Sequence, residues 1–272
     1  MKPPPVVLAI AGYDPSSGAG VTADVKTAAA RGCYAVTCIT ALTVQSTQGV
    51  FQVRAVEPRL VAATLRALAK DVSFAAVKIG MLGSAGVAEA VYDFLRRVRP
   101  PNVVLDPILR SSSGKPLSDK AALAVLRRKL VPLADVITPN LAEAAHLAGE
   151  AGPPDGADWT QARPALAKVA ASLHRLGARA VIITGGHLAQ ANDYLSYLRD
   201  GSPHQLILRG RRIVSSSTHG TGCAYSTALA CHLALGNDLP AAARAAKSYL
   251  RRALLAAYPV GKGNGPIHHL LP

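Results

Sequence analysis

The chain has 272 residues, of which 50% are hydrophobic, 17% charged and 4% aromatic. This length fits one large α/β domain, so we expect residues 1–272 to form a single domain. No apolar run reaches the roughly 18 residues of a membrane span, and residues 1–12 lack the long apolar stretch of a secretory signal. The four cysteines show neither CxxC nor metal-ligand spacing, which indicates reduced thiols. We therefore expect a cytoplasmic protein.

The net charge is +14, from 30 Lys and Arg against 16 Asp and Glu. Such a balance can indicate a nucleic-acid or other polyanionic partner. The basic residues occur as scattered doublets without interleaved aromatic side chains, which favours solvated helix faces over a polyanion-binding patch. We expect no nucleic-acid partner, although the charge would attract a small anionic substrate.

Short apolar runs alternate with amphipathic stretches, a pattern that predicts βαβ units and a mainly parallel sheet. In the first half we expect, in chain order, strand 6–11, helix 20–31, strand 35–41, helix 57–70, strand 75–79, helix 84–97 and strand 102–105. In the second half we expect helix 119–130, strand 136–138, helix 141–148, helix 163–176, strand 180–184, a strand pair 192–198 and 205–209, and helices 223–235 and 239–258.

Glycine-rich or polar segments follow these strands, where open α/β sheets bind their ligands. The segments are residues 12–20, 80–82, 106–114, 139–143, 185–187 and 218–223. Together they predict one site at the carboxyl edge of the sheet.

The segment with the strongest local signal is STHGTGC, residues 217–223, which precedes the apolar run 224–235. Its glycines let consecutive N–H groups point at one anion, and the helix dipole adds positive charge there. The sequence GxxxxGK[ST] is absent, so this is not a Walker motif. The segment predicts a phosphoryl-binding turn at Gly220, Thr221, Gly222 and Cys223, although glycines before helices also form ordinary turns.

Cys223 would lie in the first helical turn, where partial positive charge lowers a thiol pKa and favours a general base. It could equally be a small residue that packs at a helix start.

Two further segments have a chemical and a structural interpretation. Asp24 would lie just inside the helix after the first strand, where it could bind a substrate or complement the helix dipole. Asn140 and Glu143 could hold Mg²⁺ through waters, but N-x-x-E is also a capping box, which is the favoured interpretation of the pair alone. We assign no catalytic role to His187 or His219.

The chain resembles the hydroxymethylpyrimidine/phosphomethylpyrimidine kinases of thiamine biosynthesis, within the ribokinase-like superfamily. The matching segments run in order over nearly the whole chain: AIAGYDPSSGAGVTADVKT, ALTVQSTQGV, KIGMLGSAGV, VVLDPILRSSSGKPL, ITPNLAEA, GGHL, STHGTGCAYSTALA and GKGNGPIHH. The resemblance implies a three-layer α/β/α sandwich with a mainly parallel central sheet, in a homodimer. It also implies ATP with Mg²⁺, and transfer to the hydroxymethyl group of 4-amino-5-hydroxymethyl-2-methylpyrimidine and then to its monophosphate.

The resemblance also implies roles for individual residues. Cys223 is the base, and the turn Gly220, Thr221 and Gly222 forms the anion hole. The substrate-binding positions are Gln45, which binds the pyrimidine, and Gly12, Asp24, Met81 and Asp106. The cofactor-binding positions are Asn140, Glu143, Thr184 and Thr218. The metal ligands are Asp106 and Glu143, partly through water.

Three residues depart from the family pattern. Tyr13 replaces a serine or threonine, while Thr184 and Ser112 each replace a lysine. Loss of cations near a developing negative charge would slow transfer, and Arg110 is a candidate replacement. Tyr13 keeps a pyridoxal or pyridoxine kinase open as an alternative. Ser112, Thr184 and the positive charge keep open a weakened kinase that serves as a ligand-binding or regulatory module.

Overall fold

A computed structural model of the chain describes residues 3–109, 114, 117 and 119–272. Its strands are β1 Val6–Tyr13, β2 Tyr34–Ser46, β3 Gly49–Ala55, β4 Ala76–Ile79, β5 Val103–Leu105, β6 Val136–Ile137, β7 Ala180–Ile183, β8 Asp193–Arg199 and β9 Ser202–Leu208. Its α-helices are α1 Gly20–Ala30, α2 Pro58–Asp71, α3 Ala85–Val98, α4 Lys120–Val125, α5 Leu141–Ala148, α6 Trp159–Arg175, α7 Thr221–Ala234 and α8 Leu239–Leu255.

The strands form one sheet in the order β3-β2-β1-β4-β5-β6-β7-β8-β9. Six neighbouring strands of this sheet pair in parallel, namely β2, β1, β4, β5, β6 and β7. The pairs β2–β3, β7–β8 and β8–β9 are antiparallel. The expected mainly parallel sheet is therefore confirmed, with antiparallel strands at both edges.

Helices cover both faces of the sheet. Alternate side chains of the central strands point to opposite faces, as the pleat requires. Leu8 and Ile79 belong to a core shared with α2, α3, α5 and α6, whereas Val7 and Val104 belong to a core shared with α7 and α8. The result is the expected three-layer α/β/α arrangement.

The strand order reverses at β1. From β1 the chain moves to β2 on one side, and then returns to β4 on the other. A crevice forms where the connections diverge, beyond the carboxyl ends of the strands. This topology places the segments after β1, β4, β5, β6 and β7 around one space.

Most expected elements are present, often with shifted ends, and two differences bear on the site. The pattern predicted strand 35–41, but β2 continues to Ser46 and pairs with β3, which was not predicted. The expected helix 119–130 is α4 followed by a π-helical turn, Leu126–Leu130. None of the helices in the described ranges is long and apolar enough to cross a membrane.

Candidate active site

A cleft of about 1830 Å³ opens at the carboxyl edge of the sheet. All but one of the predicted site residues line it. These are Gly12, Gln45, Met81, Asp106, Asn140, Glu143, Thr184, Thr218, Gly220, Thr221, Gly222 and Cys223. The exception is Asp24.

The glycine turn has the geometry that its sequence predicted. Gly220 lies in the left-handed region at φ 83°, where a side chain would be strained, and a Cβ there would lie 1.8 Å from the Gly18 oxygen. The first α7 hydrogen bond runs from the Ala224 N–H to the Gly220 carbonyl. The Thr221 N–H donates to the Thr218 carbonyl at 3.4 Å. The N–H groups of Gly222 and Cys223 precede the first helical bond, so they can point at an anion at the positive end of α7.

The Cys223 thiol does not have the lowered pKa that its helix position predicted. Its side chain is buried, and burial raises its pKa to about 12. The Lys78 ammonium lowers this pKa, and Asp24 and Asp106 raise it, so the neighbouring charges do not cancel the effect of burial. The expectation was wrong because the helix dipole acts here on a group that water no longer solvates.

The prediction that Asp24 binds substrate in the pocket is wrong. Asp24 is completely buried between α1, β4 and α7, and both its oxygens pair with Lys78 Nζ at 2.9 and 3.0 Å. The Thr227 hydroxyl donates to Asp24 at 2.7 Å. The resemblance to the family rests on the sequence of this segment and does not give the direction of a side chain. It therefore could not show that Asp24 points away from the cleft.

Two carboxylates line the cleft beside the turn. The Ser226 hydroxyl donates to Asp106 Oδ2 at 3.1 Å, and a Cβ on Gly222 would lie 3.7 Å from the same oxygen. Burial raises the pKa of Asp106 to about 6. Burial raises the pKa of Glu143 to about 8, and repulsion from the Asp106 carboxylate is the second cause of this increase. Two buried acids that are hard to ionise form a site that a cation would stabilise.

The oxygen atoms around this acidic pair fit a magnesium ion. The Thr138 hydroxyl also lines the cleft, and its Oγ1 is buried without a hydrogen-bond partner. Hard cations take carboxylate, hydroxyl and water oxygens, and Mg²⁺ keeps several waters. The described residues contain no cluster of three or more His, Cys, Asp or Glu that could hold a metal, so phosphate and water would complete the coordination.

Asn140 and Glu143 form the capping box that the sequence favoured. Asn140 Oδ1 accepts from the Glu143 N–H at 2.9 Å, and Glu143 Oε2 accepts from the Asn140 N–H at 2.9 Å. Both residues nevertheless line the cleft at the start of α5. The cap therefore also fixes the Glu143 carboxylate beside Asp106.

The opposite side of the cleft is narrower and more apolar. The Met81 side chain packs closely against Gly12: a Cβ added to Gly12 would lie 2.7 Å from Met81 Cε. Gln45 extends from the β2–β3 pair, and Thr43 Oγ1 lies 3.2 Å from Gln45 Oε1. Tyr13 lines the cleft as well. The Gln45 amide and the apolar contact of Gly12 with Met81 therefore lie in one cleft, a combination that suits a flat ring with a polar edge.

Four polar residues of the cleft were not assigned a role from the sequence: Asp14, Asp193, His219 and Lys247. His219 Nε2 lies 2.7 Å from Asp14 Oδ2 and 3.1 Å from Gln45 Nε2. Lys247 of α8 lines the cleft near Thr184, paired with Asp193 at 2.6 Å, and Asp193 accepts from the Gly185 N–H. A lone histidine and a helical lysine carry no local signal for these contacts. The departure at Ser112 and the candidate replacement cation, Arg110, lie outside the described residues.

Comparison with known proteins identifies the family. The family model for phosphomethylpyrimidine kinase matches residues 14–268. The hydroxymethylpyrimidine/phosphomethylpyrimidine kinase of Haemophilus influenzae is 39% identical, over 97% of this chain and 96% of its own length. The chain belongs to the phosphomethylpyrimidine kinase family. It is therefore a kinase.

Two further relatives extend the comparison. The thiamine biosynthesis bifunctional protein ThiED of Geobacter sulfurreducens is 41% identical over 97% of this chain, which spans about half (52%) of that protein. The pyridoxal kinase of Bacillus subtilis, solved as an ADP complex, is 31% identical with a TM-score of 0.84, and 97% of each chain is covered. The kinase thus has a ribokinase-like fold, as the resemblance implied.

Proposed function

We propose that this kinase transfers a phosphoryl group from ATP to the hydroxymethyl group of 4-amino-5-hydroxymethyl-2-methylpyrimidine, and then phosphorylates the monophosphate, in thiamine biosynthesis. One observation carries the proposal. The same cleft holds the Gly220–Cys223 turn at the start of α7 and, facing it from the β2–β3 pair, the Gln45 amide. An anion site beside a ring-binding site suits a kinase of a heterocyclic alcohol.

In this proposal each side of the cleft has one task. Gln45 binds the edge of the ring, while Gly12 and Met81 form the apolar wall against it. The N–H groups of Gly222 and Cys223 stabilise the charge on the transferred phosphoryl group. Cys223, as its thiolate, accepts the proton of the attacking hydroxyl, and the Lys78 ammonium below it favours that thiolate.

The nucleotide is proposed to occupy the end of the cleft formed by Thr184, Thr218 and α8. Five arginines line the cleft as well: Arg209, Arg211, Arg212, Arg244 and Arg251. Part of the positive charge therefore surrounds a site for a small anion, which supports ATP rather than a nucleic-acid polymer as the partner. Asp106, Glu143 and Thr138 would hold Mg²⁺, which supplies charge neutralisation at the phosphates when bound.

We propose a homodimer in the cytoplasm. The β2–β3 pair exposes Leu42, Val44 and Phe51, each more than half accessible at 51%, 56% and 60%. Such an apolar surface supports burial against a second copy. The four cysteines are free and buried, which supports a reducing compartment.

A steady-state assay tests the proposed reaction. Wild-type protein with ATP and Mg²⁺ is expected to phosphorylate the aminopyrimidine alcohol with a higher kcat/KM than pyridoxal. The Cys223→Ala variant should lose about 10²- to 10⁴-fold in kcat with little change in KM, because it lacks the proton acceptor but retains the ring site.

Three outcomes would contradict the proposal. An unchanged kcat in Cys223→Ala excludes the assigned base. Preference for pyridoxal supports the alternative that Tyr13 left open. Absence of turnover with either alcohol supports a ligand-binding or regulatory module. The matched control is Cys231→Ala, which removes a second buried thiol of α7 that does not line the cleft and should keep most of the activity.

A further inference from the structure

His219 connects the phosphoryl-binding turn to the residue proposed to bind the ring. It immediately precedes Gly220, and its Nε2 atom lies between Asp14 Oδ2, at 2.7 Å, and the Gln45 amide, at 3.1 Å. Its backbone N–H donates to the Gly265 carbonyl. A Cβ on Gly18 would lie 2.3 Å from the imidazole Cδ2, so the ring is held from that side. The imidazole therefore has little freedom to turn away from Gln45.

Asp14 determines which hydrogen the imidazole presents. Its carboxylate accepts from the Ser16 N–H and hydroxyl and from the Ala19 N–H, and its side chain is only 4% exposed. Burial alone would raise the Asp14 pKa, but the hydrogen bonds from His219 and Ser16 outweigh it and hold the pKa below its usual value. An ionised carboxylate only accepts hydrogen bonds, so His219 Nε2 carries a hydrogen and donates.

This donor restricts the Gln45 amide. The one hydrogen on His219 Nε2 points at Asp14, and a protonated Nε2 has no lone pair with which to accept from an amide NH₂. An amide oxygen at 3.1 Å can share the same hydrogen as a second, weaker acceptor. The two orientations of an amide have the same shape, and the neighbouring hydrogen-bond partners decide between them. The His219 side therefore favours the orientation with Gln45 Oε1 toward the imidazole. This is the reverse of the assigned amide, in which Nε2 lies 3.1 Å from His219 Nε2 and Oε1 lies 3.2 Å from Thr43 Oγ1.

Thr43 favours the same orientation from the other side. Its hydroxyl has one hydrogen, which reaches the Tyr13 carbonyl at 2.9 Å, a shorter contact than the 3.2 Å to the Gln45 amide. A hydroxyl that donates to Tyr13 has only lone pairs left for Gln45. The amide NH₂ is the group that can donate to them, so both neighbours place oxygen toward His219 and nitrogen toward Thr43.

We propose that His219, oriented by Asp14, fixes the Gln45 amide with its oxygen toward the imidazole and thereby determines which ring edge the cleft accepts. His219 is then a specificity-determining positioning residue. The inference rests on the proposed function, in which Gln45 binds the ring. A fixed amide offers its donor and acceptor in one order only, and this order would match the adjacent amino group and ring nitrogen of a 4-aminopyrimidine. A 4-oxopyrimidine, whose ring N–H and carbonyl present the reverse order, is rejected.

Binding without nucleotide tests this inference independently of turnover. The probes are 4-amino-5-hydroxymethyl-2-methylpyrimidine and its 4-oxo analogue, in which the hydroxymethyl group fixes which way round the ring lies. Each is titrated calorimetrically into wild-type protein and into His219→Phe, His219→Gln and His219→Asn variants. Phe keeps a ring without an N–H. The Gln amide reaches the position of Nε2, whereas the Asn amide is one methylene shorter, so these two variants form a matched pair.

Wild-type protein and His219→Gln are expected to prefer the 4-amino ring. In His219→Phe and His219→Asn the amide can turn, so the preference should fall by about tenfold or more, as the loss of a buried hydrogen-bond match predicts. In the kinase assay, the ratio of kcat/KM for the 4-amino compound to kcat/KM for the 4-oxo compound should fall by the same factor in these two variants. A role of His219 in loop stability alone would weaken both ligands equally.

The outcomes separate the inference from the function on which it rests. An unchanged preference in folded His219→Phe and His219→Asn overturns the inference and leaves the function intact. A wild-type protein that binds both rings equally also overturns it. A wild-type protein that binds neither ring overturns the proposed function, and the inference with it. Thermal unfolding of each variant shows whether it is folded, and if His219→Phe is not, the Gln and Asn pair decides.

Discussion

Cys223 is a thiol at neutral pH, because burial raises its pKa to about 12. The thiolate is the form that accepts a proton, so its population at neutral pH is small and rises with pH. We therefore predict that kcat/KM, which reports the free enzyme, rises by nearly tenfold per pH unit from about pH 7 to about pH 9 without a plateau. If the thiol had the lowered pKa that is typical of a helix start, kcat/KM would stop rising within this pH range.

The pH dependence is measured on kcat/KM for the pyrimidine alcohol with ATP well below its own KM, so that the profile reports the free enzyme. Cys223→Asp is the informative comparison, because a carboxyl ionises at lower pH than a thiol in the same surroundings and its profile should level off at lower pH. Wild-type activity that levels off below about pH 8 would contradict the assignment of a high pKa to Cys223.

At the scale of single residues, the sequence predicted which positions line the cleft better than what each side chain does there. Glycines such as Gly220 were predictable, because their role follows from local backbone geometry. The directions of Asp24 and His219 were not, since each depends on a partner about 50 to 200 residues away, as the Lys78 and Asp14 contacts show. Cys223 was located correctly, but its pKa depends on burial that no short motif encodes.

At the scale of elements, one buried ion pair joins three elements beneath the turn. Lys78 of β4 and Asp24 of α1 are both 0% exposed, and Thr227 of α7 completes the contact. Burial by itself would lower the Lys78 pKa, but the Asp24 carboxylate raises it above its usual value. Burial raises the pKa of Asp24, which opposes ionisation, while Lys78 and Thr227 lower it. The contacts of Lys78 Nζ with both Asp24 oxygens and the hydrogen bond from Thr227 are those of an ion pair, so we treat the pair as charged. Removal of one partner would leave a single charge in the core beneath Cys223.

We predict that Lys78→Met and Asp24→Asn each lower the free energy of unfolding by about 3 to 5 kcal/mol, because each leaves a buried charge unpaired. The Asp24→Asn/Lys78→Met double variant should be destabilised by less than the sum of the two. Denaturant unfolding monitored by circular dichroism measures the three values, and the double-mutant cycle gives the coupling.

The surface pair of Lys129 and Glu89 provides the control. It has a similar distance, 2.8 Å, but its side chains are 42% and 40% exposed. Lys129→Met should change stability far less than Lys78→Met, because solvent screens the exposed pair. Equal effects of Lys78→Met and Lys129→Met would show that burial does not govern the strength of the pair.

The elements that the sequence predicted best are those with a continuous apolar run or a capping signal. α5 begins after Asn140 and ends at Ala148 as expected, and Ser84 is the N-cap of α3. β3 was missed because it is largely exposed and has mixed polarity. Its pairing with β2 is a tertiary feature, and this pairing is what holds Gln45 over the cleft.

At the scale of the whole molecule, the β2–β3 pair has two different faces. Thr43 and Gln45 line the cleft, whereas Leu42 and Val44, which alternate with them, are exposed. A second copy that covered Leu42 and Val44 would pack against the β2–β3 pair on the face opposite the cleft. The proposed dimer would then also stabilise the position of Gln45, so assembly and ring binding should weaken together.

We predict that Leu42→Glu/Val44→Glu converts a dimer into a monomer and raises KM for the pyrimidine alcohol. A charge placed in an apolar interface should weaken association by at least about 2 kcal/mol, or roughly 30-fold. Light scattering after size-exclusion chromatography measures the mass. The control is Leu60→Glu, which places the same charge on α2 at an apolar residue that is 58% exposed and should keep the dimer. A wild-type monomer, or a dimer that survives the double variant, contradicts the assignment of this face.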